Sequence, residues 1–384
     1  MLRKSTDHPT KTDAKGAERA LIRLQETYQY TGDQLATGEL IPGQIPVDKL
    51  TAHDFVNIGL NAWEDGNDSA QMWLETGRST SKSNSITPSL STPMLQGFEI
   101  LASIAYQHRQ FRKSLEIIHE ILTFDPENAK ANHLKETIMQ DEERNLYNSL
   151  CRGDHTAIKS LPSKWAKCQF VHRNNPNLFI QPIKEEVVSL SPPIVLFHDI
   201  VTDSEIEHLL TKARNSLTTG GAKINRKDYR TNSVSWIDSE RVGDPIWTYL
   251  RRIQHYTGLS TDVQHREWIQ VANYGIGGHY YPHYDGEDKD NENKTDINDN
   301  MGQRIATVLT YLTDVKSGGA TVFLHDRKHI QPSKGTAVFW YNYHRNGKLD
   351  HRTKHAACPV VMGTKWAANL WVREFGQEFL ESAV

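Results

Sequence analysis

From Ile194 onward the chain is a succession of short apolar segments, each closed by glycine or another turn residue. They include IVLFHDIV, WIQVANYG, GHYYPHYD, RIATVLTYLTDV, GATVFL, GTAVFWYN, HAACPVVMG and KWAANLWVRE. Segments of this length suit strands buried on one or both faces and are mostly too short for helices. Many short strands between glycine-rich turns predict a barrel or jelly roll. One capped helix, DSEIEHLLTKARNSL, interrupts the series.

The first half of the chain has the other period. Ala20, Leu21, Leu24 and Tyr28 recur at helical spacing, as do Phe55, Ile58, Leu60 and Ala62. FEILASIAYQHRQFRKSLEIIHEILTF predicts two amphipathic helices with a turn at residues 108–110. A third helix is expected from Asp125, with Pro126 at its first position. Paired helices joined by Asp-Pro-Glu-Asn suit one tetratricopeptide-like unit. Residues 76–93, ten of eighteen being Ser or Thr, read as a loop, and IKEEVVSLSPP reads as a linker.

Composition narrows the function classes. With 24% charged residues and a net charge of -3, nothing suggests a nucleic-acid or anionic-membrane surface. No apolar run approaches the ~20 residues needed to span a bilayer. The opening MLRKSTDHPTKTDAKGAERALIRLQ has no apolar core, so no secretory signal is expected. Cys151 and Cys168 flank a short loop, and a bridge there would stabilise by roughly 3 kcal/mol in an oxidising compartment, leaving Cys358 unpaired. Three unrelated reduced thiols are the alternative. Sequons at Asn67 and Asn293 are weak pointers to a lumenal protein.

The chemistry concentrates in HYYPHYD. Along a strand, His283 and Asp285 point to one face. His355 follows 70 positions after Asp285, at the start of another strand, and Lys365 ten residues later. Two histidines and a carboxylate form a facial set with open positions, as non-haem iron(II) oxygenases require. A 2-oxo acid could chelate the metal there while a lysine held its other carboxylate as a point charge.

WIQVANYGIGGHYYPHYD, RIATVLTYLTDVKSGGATVF, KGTAVFWYN and HAACPVVMGTKWAANLW resemble the catalytic domain of the animal collagen prolyl 4-hydroxylase alpha subunit, over about residues 190–379. A weaker likeness runs back through AKCQFVHRNNPNLFI and the helical module to RLQETYQ. The resemblance implies an α+β chain: a remnant of a helical dimerisation region (1–45), a tetratricopeptide-like peptide-substrate-binding domain (46–145), a linker region with a cysteine pair (146–193) and a double-stranded β-helix dioxygenase domain (194–384). It implies iron(II) held by His283, Asp285 and His355. It implies 2-oxoglutarate paired through its C5 carboxylate with Lys365, with Tyr274 and Thr321 as hydrogen-bonding helpers. Oxygen and L-ascorbate complete the expected cofactors.

Arg304 and Trp371 match peptide-facing positions, and Tyr106 matches a tyrosine of the aromatic groove that takes Pro-rich chains. Trp63 either substitutes for another groove aromatic or belongs to the helix core. The implied activity is C4 hydroxylation of peptidyl proline in collagen-like chains, with 2-oxoglutarate converted to succinate. A 2-oxoglutarate oxygenase for another protein substrate and a catalytically weak peptide-binding paralogue are the alternatives. Implied partners are protein disulfide isomerase as a beta subunit and a second alpha chain, in the endoplasmic reticulum lumen. The resemblance also pairs Cys151 with Cys168, and the C-terminal partner expected for Cys358 is missing from FLESAV. Other departures are Tyr281 for an acidic residue, Gly286 for Phe, Arg373 for the His of Trp-x-His, and the absence of a tyrosine pair in EDGNDSAQ.

Overall fold

A computed structural model describes residues 11–38, 40, 49–83, 91–162, 165–220, 229–238, 241–287 and 301–377. The chain forms two compact units, Met1–Glu142 and Glu143–Val384. No described helix is long and apolar enough to cross a membrane.

The first unit is helical: α1 (Lys11–Tyr28), α2 (Gly32–Thr37), α3 (Ala52–Glu64), α4 (Ala70–Ser83), α5 (Thr92–Gln107), α6 (Phe111–Phe124) and the start of α7 (Ala129–Arg152). Thr51 opens α3 with a reciprocal capping box to Asp54. Val56, Leu74, Phe98, Leu101, Ile117 and Ile121 share one apolar core. At Gly97 a Cβ would lie 2.6 Å from the Val56 side chain, so glycine lets α5 approach α3.

Two expectations fail here. Residues 76–83 are helical, and Ser79 and Ser81 turn their hydroxyls back onto the carbonyls of Thr76 and Arg78, which keeps those hydroxyls paired within the helix. Residues 84–90 of that stretch lie outside the described residues. The third helix starts at Ala129 rather than Asp125. Asp125 closes α6, and the Asn128 side chain accepts from the Ala131 N–H at 2.9 Å.

The second unit holds β1 (Cys168–Val171), β2 (Ile183–Leu190), β3 (Pro193–His198), α8 (Asp203–Arg214), β4 (Thr218–Thr219), β5 (Arg230–Thr231), β6 (Ser233–Ile237), α9 (Pro245–Thr257), β7 (Ile269–Tyr274) and β8 (His279–His283). Then follow β9 (Arg304–Tyr311), β10 (Ser317–Gly318), β11 (Thr321–Phe323), β12 (Lys328–Ile330), β13 (Ala337–Tyr341), β14 (His355–Ala357), β15 (Val360–Met362) and β16 (Lys365–Arg373). The large sheet has the order β1-β2-β3-β13-β9-β16-β7-β6-β4, and a smaller one has β12-β11-β14-β8-β5.

Strand alternation places the two faces. Val308 on β9, Ala368, Leu370 and Val372 on β16 and Ile269 and Val271 on β7 pack against Ile206 and Leu209 of α8 and Ile246, Tyr249 and Ile253 of α9. The residues between them face the opposite side, where Leu309, Tyr311, Trp340 and Ala367 meet Phe323 and Ile330 of the smaller sheet. The stretch IKEEVVSL is not a linker: it is β2, paired with both β1 and β3. Its glutamates hid the pattern. Glu185 is buried against Arg173 at 2.6 Å, so a charged residue occupies an inward position.

The cysteine pairing also departs from expectation. Cys151 bridges to Cys358 and Cys168 is free and exposed. Cys151 ends α7, which packs through Tyr147 and Leu150 onto Val322 and Ala356, and Cys358 follows β14. Cys168 instead lies on the edge strand β1, opposite Glu186.

Candidate active site

Strand register creates the centre. His283 closes β8, His355 opens β14, and the two are direct cross-strand partners with ring centroids 4.4 Å apart. Asp285 lies two residues beyond β8. Its Oδ1 is 3.7 Å from His283 Nε2 and its Oδ2 is 3.6 Å from His355 Nε2. One donor atom from each residue falls within 4.8 Å of the others. Each Nδ1 meets a backbone carbonyl, that of Tyr281 at 2.8 Å and that of Thr353 at 3.0 Å. A carbonyl can only accept, so Nδ1 carries the proton and Nε2 keeps a lone pair for a metal.

Electrostatics favours the ligating forms. Burial, and then the neighbouring His355 imidazole, push His283 far below the ordinary histidine range, so it is neutral at neutral pH. Burial alone would raise Asp285. The imidazoles of His355 and His283, the Trp371 indole and the Arg304 guanidinium outweigh it and keep the carboxyl ionised. A neutral imidazole and a carboxylate are the species that bind a divalent ion.

A pocket runs from this centre to Lys365, lined by Gln270, Leu309, Thr321, Ala367 and Asn369. Lys365 opens β16 opposite Tyr274 and is 1% exposed. Its ammonium donates to Thr321 Oγ1 at 3.3 Å and lies 5.6 and 5.4 Å from the ring centres of Tyr274 and Tyr311. Tyr311 Oη donates to the same Thr321 oxygen at 2.8 Å. Among the described residues no carboxylate pairs with Lys365, and burial pushes its amine down to about 7.

Beside the pocket Arg304 stacks on Trp371 with its guanidinium 4.2 Å from the ring centre. Both arms of Arg304 also bind Glu267, at 2.5 and 2.8 Å. Tyr106 lies in the helical unit, where it donates to Asp141 at 2.8 Å and stacks on Phe111. Trp63 is 42% exposed and lines a groove of about 190 Å³ with Ile100, Ser103 and Leu134, so it is not a core residue. Spacing arguments did not single out Thr307, Asn342, Glu267, Tyr311 or Asn369. For Asn369 a signal existed: from Lys365, every second residue of β16 faces the pocket.

A profile of the 2OG-Fe(II) oxygenase superfamily matches residues 269–373. Prolyl 4-hydroxylase subunit alpha-1 of Homo sapiens is 35% identical over 414 residues, covering 97% of this chain and 76% of that protein. Subunit alpha-2 of Gallus gallus is 33% identical over 415 residues, covering 97% and 75%. The chain belongs to the prolyl 4-hydroxylase alpha-subunit family. Among solved structures, the viral collagen prolyl hydroxylase of Paramecium Bursaria Chlorella virus-1 in its 2OG complex is 28% identical. It covers 47% of this chain and 95% of its own, with a TM-score of 0.37.

The departures from the family pattern are accommodated locally. Tyr281 packs edge-on against Tyr147 of α7, ring centres 5.6 Å apart. At Gly286 a Cβ would lie 2.7 Å from Tyr343 and 2.8 Å from Leu349, so those side chains fill the space a larger residue would take. Arg373 is fully buried and bonds Glu267 and the Gly302 carbonyl, both at 2.7 Å. Two arginines thus share one carboxylate.

Proposed function

We propose that this protein hydroxylates peptidyl proline at C4 in collagen-like, Pro-rich chains, converting 2-oxoglutarate to succinate. The observation that carries this reading is Lys365: a fully buried amine with no carboxylate partner among the described residues, in a pocket that also holds two histidines and an aspartate. Such a site demands an anionic ligand, and a dicarboxylate that also chelates metal satisfies both ends.

Two nitrogens and one carboxylate oxygen with open positions fit iron(II). Iron bound there supplies oxygen activation driven by oxidative decarboxylation of 2-oxoglutarate. His283, Asp285 and His355 hold and orient the metal, and Lys365, with Thr321 and Tyr274, receives the C5 carboxylate. Leu309 and Ala367 exclude water between the two ends. Arg304, stacked on the buried Trp371 ring, faces the prolyl peptide.

The helical unit acts as a tetratricopeptide-like substrate module, its groove faced by Trp63, with Tyr106 on α5 beyond the groove residues Ile100 and Ser103. A polyproline II chain is already extended and loses little entropy on docking to aromatic faces. Ascorbate as a reductant, protein disulfide isomerase and a second alpha chain as partners, and the endoplasmic reticulum lumen as location rest on family likeness. The Cys151–Cys358 bridge suits that oxidising compartment.

The deciding experiment is 2-oxoglutarate turnover with and without a (Pro-Pro-Gly) repeat peptide, with mass mapping of the peptide. Peptide-stimulated succinate formation with one oxygen added per modified proline is expected. Turnover that leaves the peptide unmodified would overturn the substrate assignment and favour another protein substrate.

A further inference from the structure

The hydrogen bonds that hold Asp285 run back through residues with no part in the reaction just described. Thr307, fully buried on β9, donates from Oγ1 to Asp285 Oδ2 at 2.8 Å. Asn342, fully buried just beyond β13, donates from Nδ2 to that same Oγ1 at 3.0 Å and to the Arg304 carbonyl at 2.9 Å. The Trp340 indole donates to Asn342 Oδ1 at 2.8 Å.

These bonds have one direction. An indole N–H can only donate, so Asn342 must turn its oxygen to Trp340 and its NH2 to Thr307 and the Arg304 carbonyl. The Thr307 oxygen, receiving an amide hydrogen, has its own hydrogen left for the carboxylate. The last bond is charge-assisted and therefore the strongest of the series. Cross-strand register builds the chain, since Trp340 and Thr307 are direct partners on β13 and β9. The Trp340 ring also packs edge-on against the second ligand, His355, with centroids 4.8 Å apart at 63°.

We infer that Trp340, Asn342 and Thr307 form a one-way hydrogen-bond chain that fixes the plane of the Asp285 carboxylate, while the Trp340 ring fixes His355. One buried indole thereby sets the relative position of two metal ligands. All three are positioning residues, acting through groups that would touch the ion. The inference rests on reading His283, Asp285 and His355 as the metal site.

The test uses the metal-free full chain titrated with cobalt(II), read by chelator competition and by the visible absorption of the bound ion. Thr307→Val keeps shape and removes the hydroxyl. It is expected to weaken cobalt(II) by about 10- to 100-fold and to shift the absorption bands, the usual consequence of losing an outer-shell partner. Thr307→Ser should return the parent spectrum. Trp340→Phe keeps a ring beside His355 and loses the N–H. Combined with Thr307→Val it should be no worse than Thr307→Val alone, because both break one chain.

Parent affinity and parent spectrum in folded Thr307→Val would overturn the inference. If that variant does not fold, Trp340→Phe decides: an unaltered spectrum overturns the chain and a shifted one supports it. Asp285→Ala separates the two levels. If it leaves cobalt(II) binding intact, the ligand assignment itself fails. If it abolishes binding while Thr307→Val changes nothing, only the positioning chain fails.

Discussion

Lys365→Met should strengthen the fold while disabling the pocket. In the protein without metal or 2-oxoglutarate the amine is pushed down to about 7 by burial alone, against 10.5 when unfolded. Between those values the folded state holds fewer protons than the unfolded state, so stability rises with pH across that window. At 1.36 kcal/mol per unit, the buried lysine costs about 5 kcal/mol near pH 6. By about pH 8.5 the folded amine is neutral, and the remaining cost is about 3 kcal/mol.

Methionine has nearly the same length and no charge, so it should recover those amounts, less any packing loss. Packing does not change with pH. The gain at about pH 6 should therefore exceed the gain at about pH 8.5 by about 2 kcal/mol, whatever methionine's absolute fit. Denaturant unfolding at the two pH values measures this difference. Co-substrate binding must move the other way. A dicarboxylate favours the ammonium, so the parent's 2-oxoglutarate dissociation constant should rise up to about tenfold per pH unit above about pH 7. In Lys365→Met it should be flat with pH and weaker by about 2–5 kcal/mol, or at least thirtyfold. Lys365→Arg should rescue only in part, because its longer planar fork must displace pocket atoms. An equal stability gain at both pH values, or unshifted 2-oxoglutarate binding in the methionine variant, would refute the reasoning.

Mapping of non-reduced peptides should find Cys151 joined to Cys358, and Cys168 should react with a thiol reagent in the folded protein; a Cys151–Cys168 peptide would contradict the pairing. Gly286→Phe should destabilise by about 1–3 kcal/mol through overpacking against Tyr343 and Leu349. Adding Tyr343→Ala should recover part of that in a thermal-unfolding assay. Deleting residues 1–142 should preserve basal 2-oxoglutarate decarboxylation and raise the half-saturating concentration of a long Pro-rich peptide. An unchanged value would remove the helical unit from substrate binding.

What the sequence made legible follows what depends on local pattern. The β segments after Ile194 announced themselves through short apolar runs and glycine turns, and His283 with Asp285 through their spacing, although β8 ends at His283 and strand alternation does not reach Asp285. Their meeting with His355 depends on the β8–β14 register, which spacing does not contain; the resemblance to known motifs supplied it. Local pattern also misled. Serines that normally favour loops sit in α4, their hydroxyls bonded back to the helix. Cys151 and Cys168 are near in sequence, yet one ends a helix and the other lies on an edge strand. Helix α9 was not read from the sequence at all, although Asp244-Pro245 opens it and Gly258 closes it, the paired signals that mark helix ends. Thr307 and Asn342 carried no such mark, because an ordinary threonine and asparagine gain a role only once β13 lies beside β9.

The same alternation explains how a core and a reactive pocket coexist on one strand. On β16, Trp366, Ala368, Leu370 and Val372 belong to the core shared with α8 and α9, while Lys365, Ala367, Asn369 and Trp371 line the pocket. A one-residue slip would exchange the two sets and put an ammonium into the hydrophobic core. The apolar half of β16 therefore fixes the register, and the register places the charged residue. The buried lysine is unfavourable to the fold on its own. It is tolerated because the alternate residues of the same strand anchor the sheet on its other face.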